Sequence, residues 1–308
     1  PAARAEPRDF DPESVGRTWY MDTKYIKTPS NSNKRYVIGL ICVNSHYAFT
    51  FNVEFKTDIY YVMHDFCNQL IEGKIFKNIT FDTIKTMMLV SDRAGEFLSG
   101  DFELIQDKFG FIRKTGAAYK HTDMGPIESY WNKIEGVVRS AYELTPHIPA
   151  TAWPLAWNHA VWLSNRLATT HTNATRPPPI TCATGLPSDL TRALPFGTLC
   201  ICHNAVESPE RKDHELGKMA PRARLGYYAG FEDARNEYII YDDIIDDTFY
   251  SPWAITHAED IVLRRIISDY DPEIINALPG YASTEPPVQH FDNDLHDFSI
   301  AKITDINT

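Results

Sequence analysis

The sequence has no apolar run long enough to span a membrane, and its first residues lack the apolar centre of a signal peptide. Its five cysteines are odd in number and show neither CxxC nor paired Cys/His spacing, which argues against a disulfide framework and against a zinc site. Adjacent basic residues occur only as pairs, so a nuclear-import cluster is also missing. These absences predict an intracellular protein that does not bind membranes.

The formal net charge of −11 is spread unevenly along the chain. Residues 1–175 hold 19 basic and 19 acidic side chains, residues 176–235 hold 8 and 7, and residues 236–308 hold 3 and 15. The net charges of these parts are therefore 0, +1 and −12. Because the acidic excess belongs to the C-terminal part, the whole-chain charge does not exclude nucleic-acid binding by the first two parts.

A chain of 308 residues with 43% hydrophobic residues exceeds one ordinary domain. Residues 1–15 are predicted to be a linker, and residues 16–170 carry strand and helix patterns of one α/β domain. A proline-containing linker is predicted for 171–194, since this segment has no helix or strand pattern. Short strand-like runs over 195–262 predict a small all-β barrel, and residues 263–308 read as an acidic, disordered tail.

The order of elements in the first domain predicts its fold. Three strands are expected first, then a helix, a strand, a short helix, another strand and two long helices; the strands are predicted at 17–27, 35–43, 46–55, 86–91 and 110–115. Up to the first of the two long helices this order, βββαβαβα, is that of ribonuclease-H-like nucleases. We therefore expect a mixed five-stranded sheet with flanking helices.

Three carboxylates occupy distinctive places in this order. Asp22 lies inside the first predicted strand, Asp92 follows a buried strand, and Glu128 opens a predicted helix. Hard oxygen ligands of this kind suit two magnesium ions that keep open positions for a substrate phosphate. Singly, Asp92 could be a turn residue and Glu128 a solvated first-turn residue; the triad in this order favours a metal site. Glu96 is a rival carboxylate, for which we favour a structural role.

The sequence resembles the integrases of copia-type LTR retrotransposons, encoded within the Pol polyprotein, over most of its length. The family signature D-N-G-x-E-F is similar to DRAGEF at 92–97, with the glycine displaced, and Y-T-P-x-x-N-G-x-x-E-R is similar to YKHTDMGPIES at 119–129. Further similarities are the Trp157, Ala160 and Asn165-Arg166 set, and the F-G and K-x-x-x-R-A-x-x-G elements of a small Src-homology-3-like barrel at 196–197 and 218–231.

This resemblance implies that Asp22, Asp92 and Glu128 bind two Mg²⁺ or Mn²⁺ ions and that the chain processes LTR cDNA 3′ ends and joins them to target DNA. It also implies double-stranded DNA as the partner, a homo-oligomer, contact with other Pol polyprotein segments, and a location in the nucleus and in cytoplasmic virus-like particles. The family's zinc-binding N-terminal module would precede residue 1.

Four basic side chains are expected near the site and could contact phosphates: Lys120, His121, Lys133 and Arg139. It is equally consistent with the sequence that these four residues are ordinary solvated surface charges with no DNA contact. Four tryptophans with helical spacing could stack on bases, but the spacing favours core packing: Trp131, Trp153, Trp157 and Trp162.

Two other functions remain open at this point. A metal-dependent nuclease of the same fold would cut nucleic acid without joining it. A catalytically decayed remnant would bind DNA or act as a scaffold with no metal-dependent chemistry.

Overall fold

The structure is a computed structural model that describes residues 12–72, 75–76, 79–92, 100–115, 125–168, 177–203 and 222–256. The chain divides into two compact units, residues 1–193 and 194–308. Several predictions lie outside the described residues: residues 1–11 of the linker predicted at 1–15, the loop that carries Lys120 and His121, Glu96, and the acidic tail.

The first unit is built on a mixed five-stranded sheet with the order β3-β2-β1-β4-β5. Its strands are β1 (Thr18–Tyr25), β2 (Tyr36–Cys42), β3 (Ala48–Val53), β4 (Met88–Ser91) and β5 (Ile112–Thr115). The first three pair antiparallel, whereas β4 pairs parallel with β1 and β5 pairs parallel with β4. This is the ribonuclease-H-like arrangement, so the predicted fold class of this unit is confirmed.

Helices cover both faces of this sheet. The helices are α1 (Ile59–Ile71), α2 (Phe81–Ile84), α3 (Gly100–Phe109), α4 (Gly125–Leu144), α5 (Trp153–Arg166) and α6 (Pro179–Thr184). Alternate residues of each strand face opposite layers. Thus Trp19 and Met21 of β1 join the core that α1 and α3 cover, while Val37 and Ile41 of β2 join the core that α4 and α5 cover.

The segment predicted to be a featureless linker contains α6. Ile180 and Ala183 of this short helix pack against the core that also holds α1 and α3. Because α6 has only six residues and begins with a proline, it offers too little periodicity for a sequence pattern to show. The first unit therefore continues to residue 193.

The second unit contains a five-stranded antiparallel sheet with the order β10-β6-β7-β8-β9. Its strands are β6 (Leu199–His203), β7 (Ala223–Glu232), β8 (Glu237–Asp242), β9 (Asp247–Ser251) and β10 (Ala254–Thr256). The two edge strands, β9 and β10, are joined by only Pro252 and Trp253. The sheet must therefore curl until its edges approach each other. A closed, Src-homology-3-like barrel stays a prediction.

A hydrogen bond also joins the edge strand β9 to β6, the strand next to the other edge. The backbone N–H of His203, at the end of β6, donates to Ser251 Oγ at 3.0 Å, and Ser251 ends β9.

Within the part of the chain that the structure describes, no helix combines the length and the apolarity needed to cross a lipid bilayer.

Candidate functional site

Asp22 and Asp92 lie side by side on neighbouring parallel strands. The β1–β4 pairing aligns Met21 with Ser91, so each aspartate is the next residue after an aligned pair. Adjacent strands are about 4.8 Å apart. Asp22 belongs to β1, and Asp92 directly follows β4, as the sequence predicts.

Glu128 lies in the first turn of α4, which packs together with α5 on the face of the sheet that carries Val37 and Ile41. The residue is exposed, while its neighbour Ile127 is 1% exposed and anchors the turn in the core. A carboxylate in a first helical turn is favoured by the helix dipole. The glutamate can therefore stay open to solvent while the helix is held in place.

The three carboxylates share one electrostatic environment around Asp22. Burial raises the pKa of Asp22 above that of an ordinary aspartate, and the charges of Asp92 and Glu128 raise it further. Two hydrogen bonds act in the opposite direction: the Trp131 indole N–H donates to Oδ2 at 2.9 Å, and the Thr23 backbone N–H donates to Oδ1 at 2.8 Å. The charges of both neighbours therefore act on the Asp22 carboxylate.

The chemistry of this donor set fits a divalent cation of the magnesium type. Three carboxylates offer only hard oxygen donors, and a bound cation would offset their mutual repulsion. Each Asp22 oxygen accepts one hydrogen bond, which leaves lone pairs on both oxygens for a cation. As the side chains stand, however, no three His, Cys, Asp or Glu residues within the described ranges are grouped as a metal site.

The basic residues predicted near the site have different surroundings. Lys133 is exposed as a whole, but its ammonium group donates to Ser164 Oγ at 3.1 Å and burial lowers its pKa. Arg139 is exposed and lies about 16 Å along the axis of α4 from Glu128, by the standard rise per residue. The structure therefore joins Lys133 to α5 and leaves Arg139 distant from the carboxylates.

Arg113 is a charged neighbour of the site that the sequence pattern did not reveal. It lies on β5, its guanidinium carbon is 5.0 Å from the centre of the Phe102 ring, and the charge of Asp92 acts on it. Burial lowers the pKa of Arg113, whereas Glu103 and Asp92 raise it. The only sequence signal was the place of Arg113 on the strand next to β4.

The predicted core role holds for three of the four tryptophans. Trp131, Trp153 and Trp157 are each at most 4% exposed and belong to the core between the sheet and α4 and α5. Trp162 is half-buried and packs against the guanidinium of Arg166 at 3.9 Å.

Asn165 has a structural role that its motif did not disclose. Its Oδ1 accepts a hydrogen bond from the Ala48 backbone N–H, and its Nδ2 donates to the Ala48 carbonyl, both at 2.9 Å. The side chain thereby completes the pairing of β3 at its start, as another strand would. Asn165 consequently fastens α5 to the edge of the sheet.

The sequence matches no protein-family profile and no curated protein. Among solved structures, the chain is similar to the HTLV-2 integrase catalytic core domain in complex with magnesium, with 14% identity, 55% of this chain and 96% of that chain covered, and a TM-score of 0.39. It is similar to the simian T-cell lymphotropic virus intasome in complex with PP2A regulatory subunit B56 gamma, with 12% identity, 79% of each chain covered and a TM-score of 0.43. It is also similar to the BIV integrase catalytic core domain, with 14% identity, 55% of this chain and 93% of that chain covered, and a TM-score of 0.39.

Proposed function

We propose that the chain is a metal-dependent polynucleotidyl transferase, and more specifically the integrase of a copia-type LTR retrotransposon. The proposed reaction trims the 3′ ends of LTR cDNA and then joins each 3′-hydroxyl to a target phosphodiester. The observation that supports the proposal is that Asp22 and Asp92 each follow an aligned residue pair on two adjacent parallel strands. The charges of Asp92 and of Glu128, in the first turn of α4, both act on the partly buried Asp22.

Asp22, Asp92 and Glu128 are the residues that would hold Mg²⁺ or Mn²⁺. When bound, two such ions would supply Lewis-acid activation of the attacking oxygen and stabilisation of the leaving oxygen. The chain's own part is orientation: two N–H donors hold the Asp22 carboxylate, and exposed Glu128 stays accessible to a cation. In the joining step, one oxygen–phosphorus bond forms at the target phosphate while the bond to the leaving 3′ oxygen breaks.

Double-stranded DNA is the proposed partner, both as cDNA end and as target. We further propose a homo-oligomer, contacts with other Pol polyprotein segments, and a location in cytoplasmic virus-like particles and the nucleus. Lys120, His121, Lys133 and Arg139 are proposed phosphate contacts. The curled second sheet is proposed to be a small barrel that assists DNA binding or assembly. The two-residue link between its edge strands and the hydrogen bond from the end of β6 to the end of β9 support a closed form.

The proposal is tested by incubating the purified chain with duplexes that carry the LTR termini of its element, a supercoiled plasmid, and Mg²⁺ or Mn²⁺. Joined products are expected from the wild type and only background from Asp92→Asn, which removes one charge of the triad. Asp65→Asn is the matched control, because Asp65 is exposed on α1, away from the carboxylates. This variant is expected to retain full joining activity.

Each contrary outcome has a definite meaning. Cleavage without joined products would assign the chain to the nucleases of the same fold. DNA retention without metal-dependent chemistry, unchanged in Asp92→Asn, would make the chain a non-catalytic DNA-binding protein. Equal joining by the wild type and Asp92→Asn would refute the assignment of the three carboxylates.

A further inference from the structure

Trp131 connects the helix that carries Glu128 to the strand that carries Asp22. It lies three residues after Glu128, on nearly the same face of α4, and it is 3% exposed. Its indole N–H donates to Asp22 Oδ2 at 2.9 Å. One side chain thus contributes to the core and also binds a carboxylate of the proposed site.

A glycine on the neighbouring strand makes room for this indole. Gly39 of β2 lies directly opposite Asp22 in the antiparallel register. A Cβ at this position would lie 2.2 Å from Cη2 and 2.6 Å from Cζ2 of Trp131, closer than real contacts allow. Glycine inside a strand commonly marks such a close approach. The seat of the indole therefore depends on the absence of a side chain at residue 39.

A second polar contact joins the same two elements. Lys24, two residues after Asp22 and on the same face of β1, forms an ion pair with Glu135 of α4. Glu135 is four residues after Trp131, one helical turn further along the same side of α4. The strand and the helix are thus fastened at two successive points, which fixes the register of Glu128 relative to Asp22.

We propose that Trp131 is a positioning residue whose indole N–H holds Asp22 in the orientation that binds a divalent cation together with Asp92 and Glu128. The inference rests on the proposed function. The second donor on Asp22, the Thr23 backbone N–H, cannot replace Trp131, because it binds the other oxygen and belongs to the same strand. Hydrogen bonds from outside the ligand set commonly orient metal ligands in this way.

Trp157 provides a matched control for Trp131. It lies in the same core, is 2% exposed, and its ring centre is 5.7 Å from that of Trp131. Its Nε1 makes no hydrogen bond with any residue that the structure describes. Trp131→Phe and Trp157→Phe therefore remove similar ring volume from one core, but only Trp131→Phe removes a bond to a carboxylate.

The first arm of the test needs no metal. In protein labelled with ¹⁵N-tryptophan, the indole resonance of Trp131 is identified by its loss in Trp131→Phe, and that of Trp157 by its loss in Trp157→Phe. Asp22→Ala is expected to shift the Trp131 resonance and to leave the Trp157 resonance in place. Equal shifts of both resonances, or of neither, would overturn the proposed bond, whatever the function of the chain.

The second arm measures Mn²⁺ affinity by electron paramagnetic resonance on variants first shown to be folded by thermal unfolding. Trp131→Phe is expected to weaken Mn²⁺ binding about 10-fold or more relative to Trp157→Phe, the size of effect typical of residues that orient metal ligands. Gly39→Ala, which displaces the indole, is expected to weaken binding in the same direction. Equal affinities of the two tryptophan variants would overturn the positioning role.

The two arms also separate this inference from the proposed function. Wild-type protein that binds Mn²⁺ no better than Asp92→Asn would refute the proposed function, and the positioning role with it. The metal-free indole resonance would in that case still report whether Trp131 binds Asp22.

Discussion

His159 is a buried histidine on α5, 4% exposed, and burial lowers its pKa to about 4. In the unfolded chain, the pKa of a histidine is about 6.5. Between these two values the unfolded state binds the proton and the folded state does not. His159 therefore contributes a penalty to folding that grows as the pH falls through this window.

We predict that the free energy of unfolding falls by about 3 kcal/mol between pH 7 and pH 4 because of His159 alone. The measurement is urea unfolding at several pH values for the wild type and for His159→Gln, which does not titrate. The difference between the two proteins isolates the histidine from the carboxylates. Parallel pH profiles would show that His159 titrates normally in the folded protein.

Asp22 and Trp131 show what residue-level reasoning could and could not predict. The position of Asp22 in a strand and of Asp92 after the next parallel strand followed from apolar runs, so their meeting was predictable. The spacing of Trp131 predicted burial, which is confirmed. The hydrogen-bond partner of its indole N–H depends on the tertiary packing of α4 on the sheet. Gly39, a glycine inside a strand pattern, was the sequence signal for that close approach.

The packing of α4 on β2 gives a prediction at the scale of the element. Gly39→Ala is expected to destabilise the protein by about 1 to 3 kcal/mol, since the new methyl group forces the buried Trp131 ring to move. Gly136→Ala is the matched control on α4. A Cβ there meets nothing within 4 Å, so relief of the glycine penalty should stabilise the helix by up to about 1 kcal/mol. Denaturant unfolding measures the change in the free energy of unfolding for each variant, and the two changes are expected to have opposite signs. Changes of the same sign would contradict the close approach of Trp131 to Gly39.

The docking of α5 to β3 gives a second prediction at this scale. Asn165→Ala removes both partners of the Ala48 backbone, which is 2% exposed, and we expect a loss of about 3 kcal/mol from two unpaired buried groups. Asn158→Ala serves as the control, because Asn158 is exposed and accepts one hydrogen bond from Asn52. Chemical denaturation compares the two. A loss no larger than that of Asn158→Ala would contradict the role of Asn165 as a fastener.

The elements show a similar division between what was and was not predictable. Long strands and helices with clear apolar periods were predicted, because each buries one face against a broad core. The helix α6 was not, since six residues make fewer than two turns and carry no measurable period. Its place is set by Ile180 and Ala183 packing against a core formed elsewhere in the chain.

Both units of the molecule contain buried hydrophobic residues. Two core clusters flank the first sheet, and the described part of the second unit (residues 194–203 and 222–256) buries eleven hydrophobic residues: Phe196, Leu199, Cys200, Cys202, Tyr227, Tyr228, Ala229, Phe231, Tyr238, Ile240 and Tyr241. We predict that fragments 1–193 and 194–308 each unfold cooperatively when expressed alone. Calorimetry with circular dichroism measures this. A fragment without a transition would show that its core depends on the other unit.

The charge distribution of the whole chain predicts an effect on DNA affinity. Residues 263–308 carry 3 basic and 8 acidic side chains and therefore hold −5 of the net charge of −11. If the chain binds DNA as proposed, removal of residues 263–308 should tighten DNA binding at low salt, because less negative charge then opposes the phosphates. Fluorescence anisotropy across a salt series tests this. The control is the full chain in which the eight acidic residues of 263–308 are replaced with their amides. Weaker DNA binding by the truncated chain would refute the electrostatic explanation.

The link between β9 and β10 also bears on the order in which the second unit is made. Protein domains fold as the chain leaves the ribosome, starting from the N-terminus. β10 is the last strand of the described chain, yet it pairs with β6, the first strand of its sheet. Until Thr256 has been synthesised, β6 presents an open edge to other chains. The edge of β6 that β10 covers is therefore open to mispairing while the intervening strands β7, β8 and β9 are being made.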